Sequence, residues 1–267
     1  MLKPVNLPFL LLFLMLFSGF SFIYQSDEEG SKRTIKTIVI DAGHGGKDPG
    51  CNQGSDAEEK KVALKVALAL GEKIEAEYPN IEIIYTRKKD VFVDLHERSA
   101  IANRNKADLF ISIHCNANPN KKAFGTETYA MGMHKTEENL AVAKRENSVI
   151  LKESSDTRKY YKGFDPNSPL AYIMLKNHQN AYIHTSLNFA QKVQKQFKDT
   201  AGRTSRGVHQ AGFLVLWETA MPSVLIEIGF LTNEKEEKYL KSEAGQEDIS
   251  KSIFKAFGQF KKEIERN

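Results

Sequence analysis

Residues 34–50, TIKTIVIDAGHGGKDPG, carry an apolar, β-branched run straight into a glycine-rich turn that holds His44. The run reads as a buried strand, and the turn places an imidazole just past its carboxyl end. Two further runs have the same character. Residues 108–117, DLFISIHCNA, deliver His114, and residues 223–230, SVLIEIGF, hold Glu227 within an otherwise apolar segment. More strands are expected at 81–87, 125–131 and 212–217, and helices at 56–78, 94–106, 171–198 and 249–265. Strands that are apolar on both faces and alternate with helices predict an α/β fold. It is expected as a single domain whose mostly parallel sheet is covered on both sides.

In such a sheet, ligands collect at the carboxyl ends of the strands. His44 and His114 fall there, and two imidazoles with a carboxylate are what a zinc hydrolase needs. The glycine-rich turn lacks the Gly-Lys-Ser/Thr ending of a phosphate cradle. Side chains alternate along a strand, so if His114 faces the site, Ile113 and Cys115 face away. The third ligand is sought at the start of the first helix. Val62, Val66, Leu70 and Ile74 form an apolar stripe at four-residue spacing. Glu59 lies near the centre line of that stripe, and Glu58 lies toward solvent. Glu59 is therefore the expected ligand. Glu227 is costly to bury unless it is paired or functional. Beside zinc it would move a proton from water to a leaving nitrogen; the alternative is a buried salt bridge with Arg87 or Arg98. Arg203 to Arg206 reads as a solvated basic loop, with contact to an anionic substrate as the alternative.

The N-terminus stands apart. Residues 7–24, LPFLLLFLMLFSGFSFIY, are uncharged and apolar, so 1–25 reads as a secretory signal peptide or a membrane anchor, with 26–33 as a linker. The domain at 34–267 is thus expected outside the cytoplasm, in the periplasm or associated with the cell envelope. The formal charge is +4 over 267 residues, which gives no footing for nucleic-acid binding. Cys51 and Cys115 exclude a disulfide scaffold and a four-thiolate metal site; free thiols are expected over a disulfide between them. A monomer is expected.

Residues 132–180 interrupt the strand–helix alternation and read as an insertion that opens with a helix at 136–153. This helix carries the carboxylates Glu137, Glu138, Glu146 and Glu153 and follows a strand, so it could lie over the cleft. One expectation is inhibition, with a carboxylate at the metal's open position until an activator protein displaces the helix. The other is a fixed wall that lengthens the substrate groove.

These residues resemble the zinc-dependent N-acetylmuramoyl-L-alanine amidases of type 3. The stretches that carry the resemblance are 38–50 (IVIDAGHGGKDPG), 59–62 (EKKV), Thr86-Arg87, 97–103 (ERSAIAN), 107–117 (ADLFISIHCNA), 206–213 (RGVHQAGF) and 221–233 (MPSVLIEIGFLTN). The departures are Ala42, where proline is common, and Cys115, where an apolar or small residue is usual. The resemblance implies a six-stranded sheet and a peptidoglycan substrate. It implies cleavage of the amide between N-acetylmuramic acid and L-alanine, in wall remodelling or daughter-cell separation. It also implies one zinc ion per chain held by His44, Glu59 and His114, with Glu227 as catalytic acid/base. A silent wall-binding regulator and a zinc peptidase that cuts between amino acids are the competing readings.

Overall fold

The computed structural model describes residues 34–51, 58–161, 164–165, 167–168 and 181–266. Six strands form one sheet: β1 (Thr37–Ala42), β2 (Glu82–Tyr85), β3 (Leu109–Asn116), β4 (Thr126–Met131), β5 (Ser205–Ala211) and β6 (Ser223–Phe230). Their order is β2-β1-β3-β6-β4-β5. Four strands run parallel, and β4 and β5, parallel to each other, run the opposite way. The site-bearing ends of β3 and β6 therefore lie beside the beginnings of β4 and β5. The register sets His114 opposite Glu227, and Glu227 opposite Glu127.

Eight helices are described: α1 (Glu59–Glu77), α2 (Leu95–Arg104), α3 (Glu137–Asn147), α4 (Ser155–Lys159), α5 (Ile183–Ala201), α6 (Leu214–Trp217), α7 (Glu234–Lys241) and α8 (Glu243–Ile264). Alternation along β3 and β6 decides what each face buries. Ile111, Ile113, Cys115, Val224, Ile226 and Ile228 face α1, α5 and α8. Phe110 and Leu225 face the layer of α2, α3 and α6. The stripe Val62, Val66, Leu70 and Ile74 on α1 is buried in the first core. Each such side chain contributes about 1.5–3 kcal/mol over leaving it in water.

The expected elements at 212–217, 136–153 and 249–265 are changed. Residues 212–217 are no strand; α6 is a single turn there, and the sheet instead recruits β5. A short apolar run buried all round fits helix or strand equally, whereas β5 is a half-exposed edge strand with a weak apolar signal. The expected helix at 136–153 starts with Thr136 as cap, its side chain accepting from Asn139, but stops at Asn147. It tightens into a 3₁₀ turn, Ser148–Lys152. The last helix starts six residues early because the Ser242 hydroxyl caps it, accepting from Gly245 N. Residues 1–33, the 56–57 start of the first expected helix and the 171–180 part of the third lie outside the described residues. So do parts of the insertion at 162–163, 166 and 169–180. No described helix is long and apolar enough to cross a membrane.

Candidate active site

His44, Glu59 and His114 converge. After β1 the chain turns so tightly that His44 itself adopts a left-handed backbone, φ 59°. Gly43 lies against the His114 ring, where a Cβ would stand 2.4 Å from Cε1. Only glycine allows that approach. His44 Nδ1 lies 2.6 Å from Asp48 Oδ2. A carboxylate only accepts, so Nδ1 carries the hydrogen, and Nε2 is the atom aimed at the centre that a metal would take. Glu59 is fully buried at the start of α1. Its Oε1 lies 3.0 Å from His44 Nε2 and 3.2 Å from His114 Nδ1. Backbone amides orient it: Cys115 N donates to Oε1 and Cys51 N donates to Oε2, at 2.8 and 2.7 Å. Glu58 instead pairs with Lys61 at the surface.

A fourth group enters from the insertion. Glu146 Oε2, near the end of α3, lies 3.2 Å from His44 Nε2 and 3.0 Å from His114 Nδ1. It is buried and makes no aligned hydrogen bond. One ligand atom from each of His44, Glu59, His114 and Glu146 falls within 4.8 Å of the others. Two imidazoles and two carboxylates suit zinc chemically. The electrostatics point the same way. Burial disfavours a charged His44, yet the carboxylates of Glu59, Asp48 and Glu146 hold it well above the usual histidine range. Against the same burial, chiefly Glu146 brings His114 up to about 9. The pocket therefore favours positive charge at its centre, and its donor set fits a zinc ion.

Glu227 is fully buried. Burial first, then Glu146 and Glu59, raise it well above the usual carboxylate range, against the opposing pull of Arg145 and His114. Its partner is not Arg87 or Arg98. Arg87 donates to the carbonyls of Ala42, Gly43 and Lys60. Arg98 pairs with buried Asp41 at 2.7 Å. Glu227 Oε1 instead accepts from Arg145 Nη2 at 3.2 Å. Consecutive residues of α3 thus reach the two halves of the site.

The insertion is tied down beyond those contacts. Asn147 Nδ2 donates to Gly212 O and its Oδ1 accepts from Leu214 N, at 2.7 and 2.9 Å. Lys152 pairs with Asp48 at 2.6 Å, and Glu153 Oε1 accepts from Leu95 N at 2.8 Å. Sequence reasoning passed over Asp48, although its spacing from His44 within one turn was a usable signal. It named Glu146 only as one of several carboxylates, because nothing local says which residue of α3 points inward. Arg203 and Arg206 are not a solvated loop: Arg203 pairs with Glu236 and Arg206 with buried Glu127. Cys51 and Cys115 are free thiols.

Residues 38–259 match the family model described as N-acetylmuramoyl-L-alanine amidase. Among curated relatives, N-acetylmuramoyl-L-alanine amidase AmiA of Escherichia coli K12 is 31% identical over 86% of this chain and 76% of its own. AmiC of E. coli O6:H1 is also 31% identical over 86% of this chain, but the chain spans only 53% of AmiC. Among solved structures, an N-acetylmuramoyl-L-alanine amidase from Clostridium difficile 630 aligns with TM-score 0.62 and 26% identity, covering 85% of this chain and 97% of that one. The CwlD amidase from Clostridioides difficile, solved in complex with the GerS lipoprotein, aligns with TM-score 0.60 and 27% identity, covering 84% and 98%.

Proposed function

The chain belongs to the N-acetylmuramoyl-L-alanine amidase family, and on that premise we propose how its site works and how it is held in check. It is a peptidoglycan hydrolase that cleaves the amide between N-acetylmuramic acid and L-alanine, in cell-wall remodelling. Such a substrate lies outside the cytoplasm, and the protein acts there. His44, Glu59 and His114 would hold one zinc ion. When bound, zinc supplies Lewis acidity that polarises a carbonyl and makes water acidic near neutral pH. Asp48 orients His44, and the amides of Cys51 and Cys115 orient Glu59. Once α3 withdraws, water enters and Glu146 no longer raises Glu227, which then ionises, accepts the proton of the attacking water and returns it to the departing L-alanine nitrogen. His114 and Glu227 are paired neighbours on β3 and β6, which brings the proton carrier beside the metal ligands.

The observation that carries the regulatory reading is the pair Arg145 and Glu146. Glu146 adds a fourth ligand atom to the cluster, and Arg145 covers Glu227. Helix α3 in this position excludes substrate, so the conformation described is a closed, inhibited one. An activator protein that binds displaced α3 better than docked α3 opens the site. GerS in the complex with CwlD is a partner protein of a related amidase. The fixed-wall reading of the insertion gives no reason for a carboxylate of α3 to sit among metal ligands.

Mass analysis of digested muropeptides tests the whole reading. Purified wild type is expected to release intact stem peptides slowly, and a Glu146→Ala variant faster, both requiring zinc. Shortened stems would identify a peptidase, and equal rates from the two proteins would remove the inhibitory role of α3.

A further inference from the structure

Helix α3 makes a third charged contact, away from the metal cluster. Arg206, at the start of β5, donates from Nε to Glu127 Oε1 at 2.5 Å and from Nη2 to Glu138 Oε1 at 2.7 Å. The two carboxylates differ in kind. Glu127 is buried and also accepts from Asn116 Nδ2 and the Tyr129 hydroxyl, each at 2.8 Å. It belongs to the permanent framework, directly opposite Glu227 in the sheet register. Glu138 is half-exposed and belongs to the helix that must leave. The guanidinium is further fixed over the Phe230 ring, 5.1 Å from its centroid. When α3 leaves, Glu127 and Phe230 still hold the guanidinium in place, and its Nη2, beside the sheet face shared by Glu127 and Glu227, loses Glu138. A rigid fork with one edge free is the usual means of capturing a carboxylate.

We propose that Arg206 binds a carboxylate of the stem peptide, and that Glu138 occupies this position in the closed state. The proposal rests on the amidase reading and deepens it. The sheet serves as the ruler. Glu227 stands opposite Glu127 across one strand spacing, and Arg206 lies on the next strand beyond Glu127. Two strand spacings of about 4.8 Å place the backbone of Arg206 about 10 Å from that of Glu227. Two to three residues of extended peptide span about 7–10 Å. The group recognised is a free carboxylate two or three residues past the scissile amide. Binding it leaves the charge around Arg206 as Glu138 leaves it, one inner and one outer carboxylate.

The test uses the full chain opened by Arg145→Ala and Glu146→Ala, with and without Arg206→Gln or Arg206→Lys, each checked for folding by circular dichroism. Substrates are muramyl tripeptides whose second-residue or C-terminal carboxylate is either free or amidated. The opened chain is expected to favour one free carboxylate by about tenfold in kcat/KM, the scale of one charge-assisted fork on a partly exposed arginine. Arg206→Gln is expected to abolish that preference while still cleaving the amidated substrate. Arg206→Lys, which keeps a cation beside Glu127, is expected to restore part of it. Which amidation matters identifies the residue recognised. A preference that survives Arg206→Gln, or equal loss on free and amidated substrates, overturns the proposal. Calorimetric binding of the product peptides decides the same question without turnover. Failure to cleave any substrate would count against the amidase reading, whereas loss of selective peptide binding alone would count against Arg206.

Discussion

Arg145 Nη2 meets Glu227 Oε1 at 3.2 Å across the gap between α3 and β6. The next residue, Glu146, stands between the two imidazoles. Two adjacent side chains thus cover Glu227 and the histidine–glutamate cluster together, so moving one helix exposes both.

Metal content follows from the ligand cluster. His44→Ala, Glu59→Ala and His114→Ala are each expected to lower bound zinc well below one ion per chain by elemental analysis. Glu58→Ala, which removes a surface pair with Lys61 and no group of the cluster, should retain it. Chelation should abolish amide cleavage and added zinc should restore it. Full zinc occupancy in Glu59→Ala would refute its assignment.

Glu227→Gln preserves shape and hydrogen-bonding capacity but cannot carry the proton. Turnover is expected to fall by about 10²- to 10⁴-fold with zinc content unchanged. A variant within a few-fold of wild type in a single-turnover assay would dismiss the role.

Asn147 anchors the end of α3 through Gly212 and Leu214 rather than through the site itself. Asn147→Ala should loosen the docked helix by about 1–3 kcal/mol, the scale of losing hydrogen bonds to buried backbone. Basal activity should rise and protease sensitivity in the insertion should increase. Unchanged activity with increased proteolysis would show that docking of α3 does not limit turnover.

Acid stability depends on Asp41. Burial opposes its ionisation, but the Arg98 guanidinium and the hydroxyls of Ser112 and Thr86 outweigh burial and hold it below its ordinary 3.8. A depressed carboxylate stabilises the fold above its unfolded value, and that contribution is lost as pH falls through the folded one. Asp41→Asn should therefore cost about 3 kcal/mol near pH 6, leaving Arg98 buried without its charge partner. The loss should shrink at acid pH well below 3.8, as wild type also gives up the charge. Urea unfolding at both pH values checks this, and a loss of equal size at both would contradict it.

Much of this protein was legible in local pattern. Residues 223–230 form a strand with the expected bounds because a continuous apolar run between turn signals has few other options. Face alternation put His114 opposite in sense to Ile113 and Cys115, and helical periodicity chose Glu59 over Glu58 as the inward carboxylate. These readings need only the 2.0 and 3.6 residue repeats, which the chain carries in itself. The rest depended on which segments meet. The apolar residues 212–217 became one turn of helix because β5 had taken the sheet edge, a competition that no local period records. Glu146, rather than Glu137, Glu138 or Glu153, reached the imidazoles because α3 is held at one end by Asn147 against Gly212 and Leu214 and near the other by Glu138 on Arg206. The sequence alone determined five of the six strands, the helix faces and the inward orientation of Glu59 and His114. Only tertiary packing, acting between residues far apart in the chain, decided which carboxylate of the insertion joined them.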